Sequence, residues 1–244
     1  MSRSLRVTAL SALLLGALTA SGCGGDEEPR TPTSAFGKQT AAQISEAVRS
    51  DMKGVRSVTI DGVSEGETFH LSLADDGTCV GTVEPATGGE AQVIEDASGS
   101  YVRGDAAYWK GQASTEADRA RVEQALKAWD GRWVKTPRSA GYLMFQCDFA
   151  TFLPQVTSGD RTLATKGEER EIAGVDAVAL TADQGGVTST MWVSTEAPHR
   201  VVRLTQAGSD TAYTFSDYDE PVSIQTPDPA EVYDLAAANK KKAE

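Results

Sequence analysis

The chain has 244 residues, 40% of them hydrophobic, with 23 lysines and arginines against 35 aspartates and glutamates, a formal charge of −12. So acidic a chain speaks against a nucleic-acid partner, which needs a basic footprint, and against lying flat on anionic lipid headgroups. About 200 residues remain after a leader and linker, enough for one domain with a sizeable core.

The N-terminus opens with Arg3 and Arg6, then the apolar run VTALSALLLGAL from Val7 to Leu18. A permanent membrane span needs about 20 apolar residues, so this run is too short. A basic start, a short apolar middle and small residues at its end make a secretory signal peptide. Ala20-Ser21-Gly22-Cys23 closes it and resembles a bacterial lipobox, with Ala20 where leucine is usual. In that reading residues 1–22 are removed and the Cys23 thiol carries diacylglycerol, an acyl anchor in the membrane. The other reading is an ordinary secreted protein with an incidental Cys23. Residues 1–22 hold two arginines and no acid, so the mature chain sets 21 basic against 35 acidic residues, a charge of −14. Lipidation uses Cys23 and leaves Cys79 and Cys147. In an oxidising compartment such a leftover pair tends to join; two separate buried thiols are the alternative.

Residues 24–38, GGDEEPRTPTSAFGK, lack apolar periodicity and read as a tether, about 50 Å long when extended and nearer 20 Å as a coil. Thr40 then caps a predicted helix in which Ile44, Ala47, Val48, Met52 and Val55 recur at helical spacing. From Val55 the period changes to two: Phe69, Leu71 and Leu73 alternate with polar neighbours, and Ala74-Asp75-Asp76-Gly77 supplies a turn. Strands are expected at 91–94, 100–103 and 107–110. A second helix follows, capped by Ser114 or Thr115, with Val122, Ala125, Leu126 and Trp129 on one face and Asp130-Gly131 as its stop. After a short strand at 133–135, CDFATFLPQV predicts a third, short helix with Phe149, Phe152 and Leu153 on one side. The rest reads as β, at 168–172, 175–182, 187–194, 201–206, 212–216 and 222–225. Asp228-Pro229 then begins a C-terminal helix. Short strands at regular spacing describe a meandering antiparallel sheet with helices over one face. The organisation is α+β: a signal peptide at 1–22, a lipidated tether at 23–38, a single domain at 39–239 and a tail at 240–244.

The stretches GTCVGTVEP, SYVRGDAAYWKG, RWVKTP, AGVDAVALTADQGGVTSTMWVSTEAPHRVVRL and YTFSDYDEPVSIQTPDPAEVYDL follow one another in an order that resembles the actinobacterial LppX/LprG-type lipoproteins. The resemblance covers nearly the whole mature chain, and these proteins are similar in fold to the periplasmic lipoprotein carrier LolA. It implies a strongly curved, incompletely closed antiparallel sheet, a half-barrel, with helices packed on its concave face. In the better-known members the space between is an apolar cavity for acyl chains of lipids, glycolipids or lipoproteins, and its size differs greatly among them. The quoted motifs are structural and transfer no cavity residue.

Residues suited to line such a cavity are Phe69, Leu71 and Leu73 on one strand face, with Phe149, Phe152 and Leu153 on the short helix. Met191 and Val193 alternate with Thr190 and Trp192 on a later strand, and periodicity leaves open which pair points inward. Alternating Phe and Leu describe an ordinary core equally well. Trp109, Trp129 and Trp133 read as core or edge packing.

The inventory for chemistry is thin. His70 and His199 are the only histidines; His70 lies on the strand face opposite Phe69 and Leu71, and His199 follows Pro198 in a turn, both toward solvent. There is no G-x-S-x-G, H-E-x-x-H or phosphate-binding glycine loop, and no Cys or His cluster has metal-ligand spacing. The expectation is a non-enzyme with no cofactor and no metal. It is a lipoprotein on the outer face of the cytoplasmic membrane, held by Cys23, that binds a lipid or glycolipid for transport or presentation. The alternative is an envelope interaction or sensor module with a filled core and a protein partner.

Overall fold

The computed structural model describes residues 31–137, 147–157 and 164–243. Helix α1 (Ala41–Met52) starts as expected: the Thr40 hydroxyl accepts from the Gln43 amide at 3.3 Å, and the Gln43 side chain accepts from the Thr40 amide at 3.0 Å. This capping box satisfies two amides that the first turn leaves without helical partners. Ile44, Val48 and Met52 form its buried stripe.

A first meander follows: β1 (Ser57–Ser64), β2 (Glu67–Ala74), β3 (Cys79–Glu84), β4 (Ala91–Asp96) and β5 (Gly99–Gly104). After α2 (Ala106–Gly111) and α3 (Glu116–Trp129) it ends in β6 (Trp133–Thr136). Helix α4 (Phe149–Thr157) leads to a second meander of β7 (Thr165–Ile172), β8 (Val175–Gln184), β9 (Val187–Ser194), β10 (Val201–Gln206) and β11 (Ala212–Ser216). A crossover then reaches β12 (Val232–Asp234) and α5 (Leu235–Ala243). The β1–β2 and β7–β8 hairpins turn on Glu65-Gly66 and Ala173-Gly174, with φ of 53° and 77° and of 51° and 81°. Positive φ at both turn residues matches the twist of the flanking strands.

Among the described residues one 12-stranded sheet runs β12-β6-β5-β4-β3-β2-β1-β11-β10-β9-β8-β7. The two meanders meet antiparallel where Ile60 faces Phe215 and Asp61 faces Thr214. Laid flat, so many strands would be about 50 Å wide at a spacing of ~4.8 Å. Yet Val102 and Val134 toward one edge and Val178 and Leu180 toward the other belong to one contiguous core. The sheet is therefore strongly curved around that core, and it stays open between its edges β7 and β12. A register shift between Lys166 and Glu169 and a run of charges blunt the β7 edge. This is the α+β half-barrel expected from sequence, except that β12 runs parallel to β6, with Val232 opposite Trp133.

Three local expectations are corrected. Residues 107–110 form α2 rather than a strand, because Asp105 accepts the Tyr108 amide at 2.7 Å and starts a helix. Residues 222–225 lie in the crossover between β11 and β12, between Pro221 and Pro227, and form no strand; proline offers no ladder N–H. Asp228-Pro229 opens only the 3-10 turn Pro229–Glu231, because the next residues pair with β6 and the helix waits until Leu235. The crossover runs over the convex face, where the Ser57 hydroxyl donates to the Glu220 carbonyl at 2.6 Å and Ile224 packs with Ile94, Tyr101 and Trp133.

The chain is fastened to the domain from Thr33 onward. The Glu169 carboxylate accepts from the amides of Thr33 and Ser34 at 2.8 and 3.2 Å and from the Ser34 hydroxyl. Lys166 donates to the carbonyls of Gly37 and Gln39 at 2.7 and 2.9 Å. Phe36 is buried in the core, stacked on the His199 ring at 3.6 Å. His199 is thus half-buried, not the exposed turn residue expected from its place after Pro198.

Candidate functional site

The concave face has two halves that differ in how tightly helices cover it. Helix α4 is positioned by the bond between Cys79, at the head of β3, and Cys147, whose Cα atoms are 5.5 Å apart, within the range a disulfide spans. Asp148 starts the helix by accepting from the Thr151 amide at 3.1 Å and its hydroxyl at 2.7 Å. Phe152 and Leu153 then point into the core and Phe149 is half-buried against it.

All eight residues suited to line a cavity lie in this one core. Phe69, Leu71, Leu73, Phe152, Leu153, Met191 and Val193 are buried and Phe149 packs against them. The pair left open by periodicity is settled: Met191 and Val193 face inward, while Trp192 is in a convex-face cluster with Arg170 4.2 Å above its ring. Gly62 faces Phe69 across the β1–β2 pair, and any Cβ on Gly62 would collide with that ring. Phe69 and Phe152 meet at Tyr213, with ring centroids 6.0 and 5.6 Å from it. Under α1 and α4 the hollow is filled by side chains.

Helix α3 covers the other half differently. None of its side chains is buried, and Val122, Leu126 and Trp129 only lean on the core. Between α2, α3, β12 and α5 lies a groove of about 620 Å³. Its apolar floor is formed by Trp109, Val122, Ala125, Trp129, Tyr233 and Leu235. The rings run as a chain, Trp109 to Trp129 at 4.8 Å and Trp129 to Tyr233 at 6.5 Å. The Trp109 indole N–H is satisfied by the Gly104 carbonyl at 3.0 Å, so its ring is fixed at the floor.

The rim is polar and balanced in charge: the amide side chains of Gln112, Gln124 and Asn239, and an Asp118–Arg121 pair at 3.1 Å. The Thr115 hydroxyl, donating at 2.6 Å, and then the Arg121 guanidinium hold the Asp118 carboxyl below the usual aspartate range. An apolar floor with a neutral polar rim suits an amphiphile.

Sequence reasoning missed this groove. Trp109 fell in an expected strand, Tyr233 in an expected helix, and Trp129 read as packing. The available signal was Asp105, an N-cap four residues before Trp109, which turns the segment after β5 into α2.

The histidines form no reactive cluster. His70 Nδ1 lies 2.7 Å from Asp61 on the convex face, and both side chains are exposed. Among the described residues no group of three or more His, Cys, Asp and Glu could hold a metal ion. Among them also, no helix is long and apolar enough to cross a membrane. Cys23 and the leader lie outside the described residues.

No family model matches the sequence, and no curated protein matches it. Solved structures do. The crystal structure of LprF from Mycobacterium bovis is similar at 15% identity with a TM-score of 0.55, over 77% of this chain and 96% of that one. The crystal structure of the Mycobacterium tuberculosis lipoprotein LppX is similar at 13% identity with a TM-score of 0.46, over 76% of this chain and 98% of that one. At such identity the likeness to LprF is one of fold, and that fold is the curved, open half-barrel that the LppX/LprG-type sequence resemblance implies.

Proposed function

We propose that the chain is an extracytoplasmic lipoprotein, anchored through Cys23 to the outer face of the cytoplasmic membrane. It holds the acyl part of a lipid or lipidated molecule between sheet and helices, for transport or presentation. The observation that carries this reading is α3, a 14-residue helix with no buried side chain lying beside a groove of about 620 Å³ floored by three aromatic rings. That volume is in the ordinary range for small-molecule sites, roughly 300–1,000 Å³. The signal-like N-terminus, the lipobox-like Ala20–Cys23 stretch and the shared fold with LprF support it. The side chains filling the hollow under α1 and α4 favour a second reading, a filled-core module with a protein partner.

Organic extraction of the purified full chain followed by mass spectrometry separates the two. The carrier reading expects one acyl-bearing molecule per protein beyond the anchor, on a polypeptide that begins at a diacylated Cys23. Cys23→Ser then leaves uncleaved precursor or releases the protein from membranes. A chain that starts elsewhere without lipid removes the anchor, and extracts empty of acyl chains favour the filled-core module.

A further inference from the structure

We propose that the face made by α2, α3 and α5 docks on the anionic headgroups of the leaflet that carries the Cys23 anchor. This rests on the anchored-lipoprotein reading above and adds to it the surface that meets the membrane; it does not depend on what the groove holds.

Charge is unevenly spread over the molecule. The three helices hold seven basic residues against three acids, a net +4. The rest of the mature chain then sets 14 basic against 32 acidic residues, a net −18. Lys110, Arg119, Arg121, Lys127 and Lys240 are all exposed. Helix α1, over the other half of the concave face, has one arginine against two acids, so the excess is particular to the α3 side. The acidity that speaks against contact with anionic lipid thus belongs to the remainder, with Asp61 and Glu84 exposed on the convex face. Near an anionic leaflet the convex side is repelled and the helical side attracted, so the field orients the domain.

That attraction fades within a Debye length, about 8 Å at physiological salt, and acts only on a domain held close. Thr33, where the chain is first fastened by Glu169 of β7, is ten positions after Cys23. Ten residues span at most about 35 Å, and nearer 17 Å as a coil. The opening of the sheet lies between β7 and β12, and β12 leads into α5. The tether therefore joins the domain at the side that the helices cover. The groove opens on that side too, since Gln112, Gln124 and Asn239 on its rim are exposed. Docking in this orientation presents the groove to the leaflet.

The test uses the acylated full chain purified from membranes and inserted into preformed vesicles. These are phosphatidylcholine alone or mixed with phosphatidylglycerol, each with a trace of lipid spin-labelled at its headgroup. A fluorophore is attached at Gln124→Cys, on α3, or at Gln92→Cys, exposed on the convex face of β4. With phosphatidylglycerol present, the label at 124 is expected to be quenched severalfold more than the label at 92. The difference is expected to vanish in phosphatidylcholine alone and at about 1 M salt, where the Debye length is ~3 Å. Reversing Lys240 and Lys242 together to glutamate removes it, and so does reversing Arg119 and Lys127, which keeps the test if the first variant misfolds. Equal quenching at both positions, or stronger quenching at 92, overturns the docking and leaves the anchor standing. A difference that survives salt or both charge reversals overturns the electrostatic assignment. Intact mass without acyl groups overturns the anchor, and the docking falls with it because nothing then holds the domain within reach.

Discussion

Glu169 joins the start of the domain to the outermost strand. Its carboxylate accepts from both amides and both hydroxyls of Thr33 and Ser34, while Gly37 lies so close that any Cβ there would strike it. Burial pushes this carboxyl up, but the Ser34 hydroxyl and the Thr33 and Ser34 amides outweigh it and hold the group below the ordinary glutamate range. A lowered folded pKa means that the contribution is complete above the unfolded value, about 4.3, and is lost as pH falls through the folded one. Glu169→Gln should therefore cost about 2 kcal/mol at neutral pH, the scale of hydrogen bonds to a charged group. The gap between wild type and variant should be smaller at about pH 3 than at neutral pH, because the wild-type carboxyl takes up its proton as pH falls through its lowered folded pKa. Denaturant titrations at the two pH values measure this, and a gap that persists unchanged in acid would show that the carboxylate charge is irrelevant. Nothing in the sequence marks Glu169, because its partners lie about 135 positions away. The same distance explains why residues 33–38 read as free tether.

Single elements were legible where local chemistry decides them. Thr40 and the spacing of Ile44, Val48 and Met52 specify α1, and the alternation of Phe69, Leu71 and Leu73 specifies β2 and its inward face. Where pairing is remote, local pattern misleads: Tyr233 sits in a strand only because β6 accepts it as a parallel neighbour. The groove is illegible for a related reason. Its floor is drawn from α2, α3, β12 and α5, with no spacing that a short motif could carry. The two helices should also differ in energy. Ile44→Ala on α1 removes a fully buried side chain and should cost about 3 kcal/mol. Leu126→Ala on α3 empties no sealed space and should cost less than about 1.5 kcal/mol. Amide exchange in the lipid-stripped protein should be faster along α3 than along α1, and ligand should slow α3 selectively. Equal protection of both helices without ligand would mean that α3 is as firmly seated as α1, and that the groove does not loosen its cover.

At the scale of the molecule, the fold is two meanders joined at β1 and β11, and the Cys79–Cys147 bond ties β3 of the first meander to α4 in the hollow they share. The cysteine pairing was legible from parity, whereas its consequence for α4 needed the fold. The cysteines are 68 residues apart, and the loop they close holds β3, β4, β5, α2, α3 and β6. Closing so long a loop removes freedom from the unfolded chain worth about 4 kcal/mol in the entropic account. In the folded state the bond also pins a short helix that is otherwise seated by the packing of Phe149, Phe152 and Leu153 against the core. Replacing both cysteines with serine should thus lower stability by up to about 4 kcal/mol, and the loss should be uneven. Amides of α4 should exchange much faster, while the β1–β2 hairpin and the β8–β9 pair, whose ladders do not cross the bond, keep most of their protection relative to the new global stability. If α4 instead stays as protected as those strands, the packing of its side chains, Phe149, Phe152 and Leu153 among them, suffices to hold it. The bond would then act on the unfolded chain only, and the locked half of the hollow would owe its closure to packing rather than to the covalent tie.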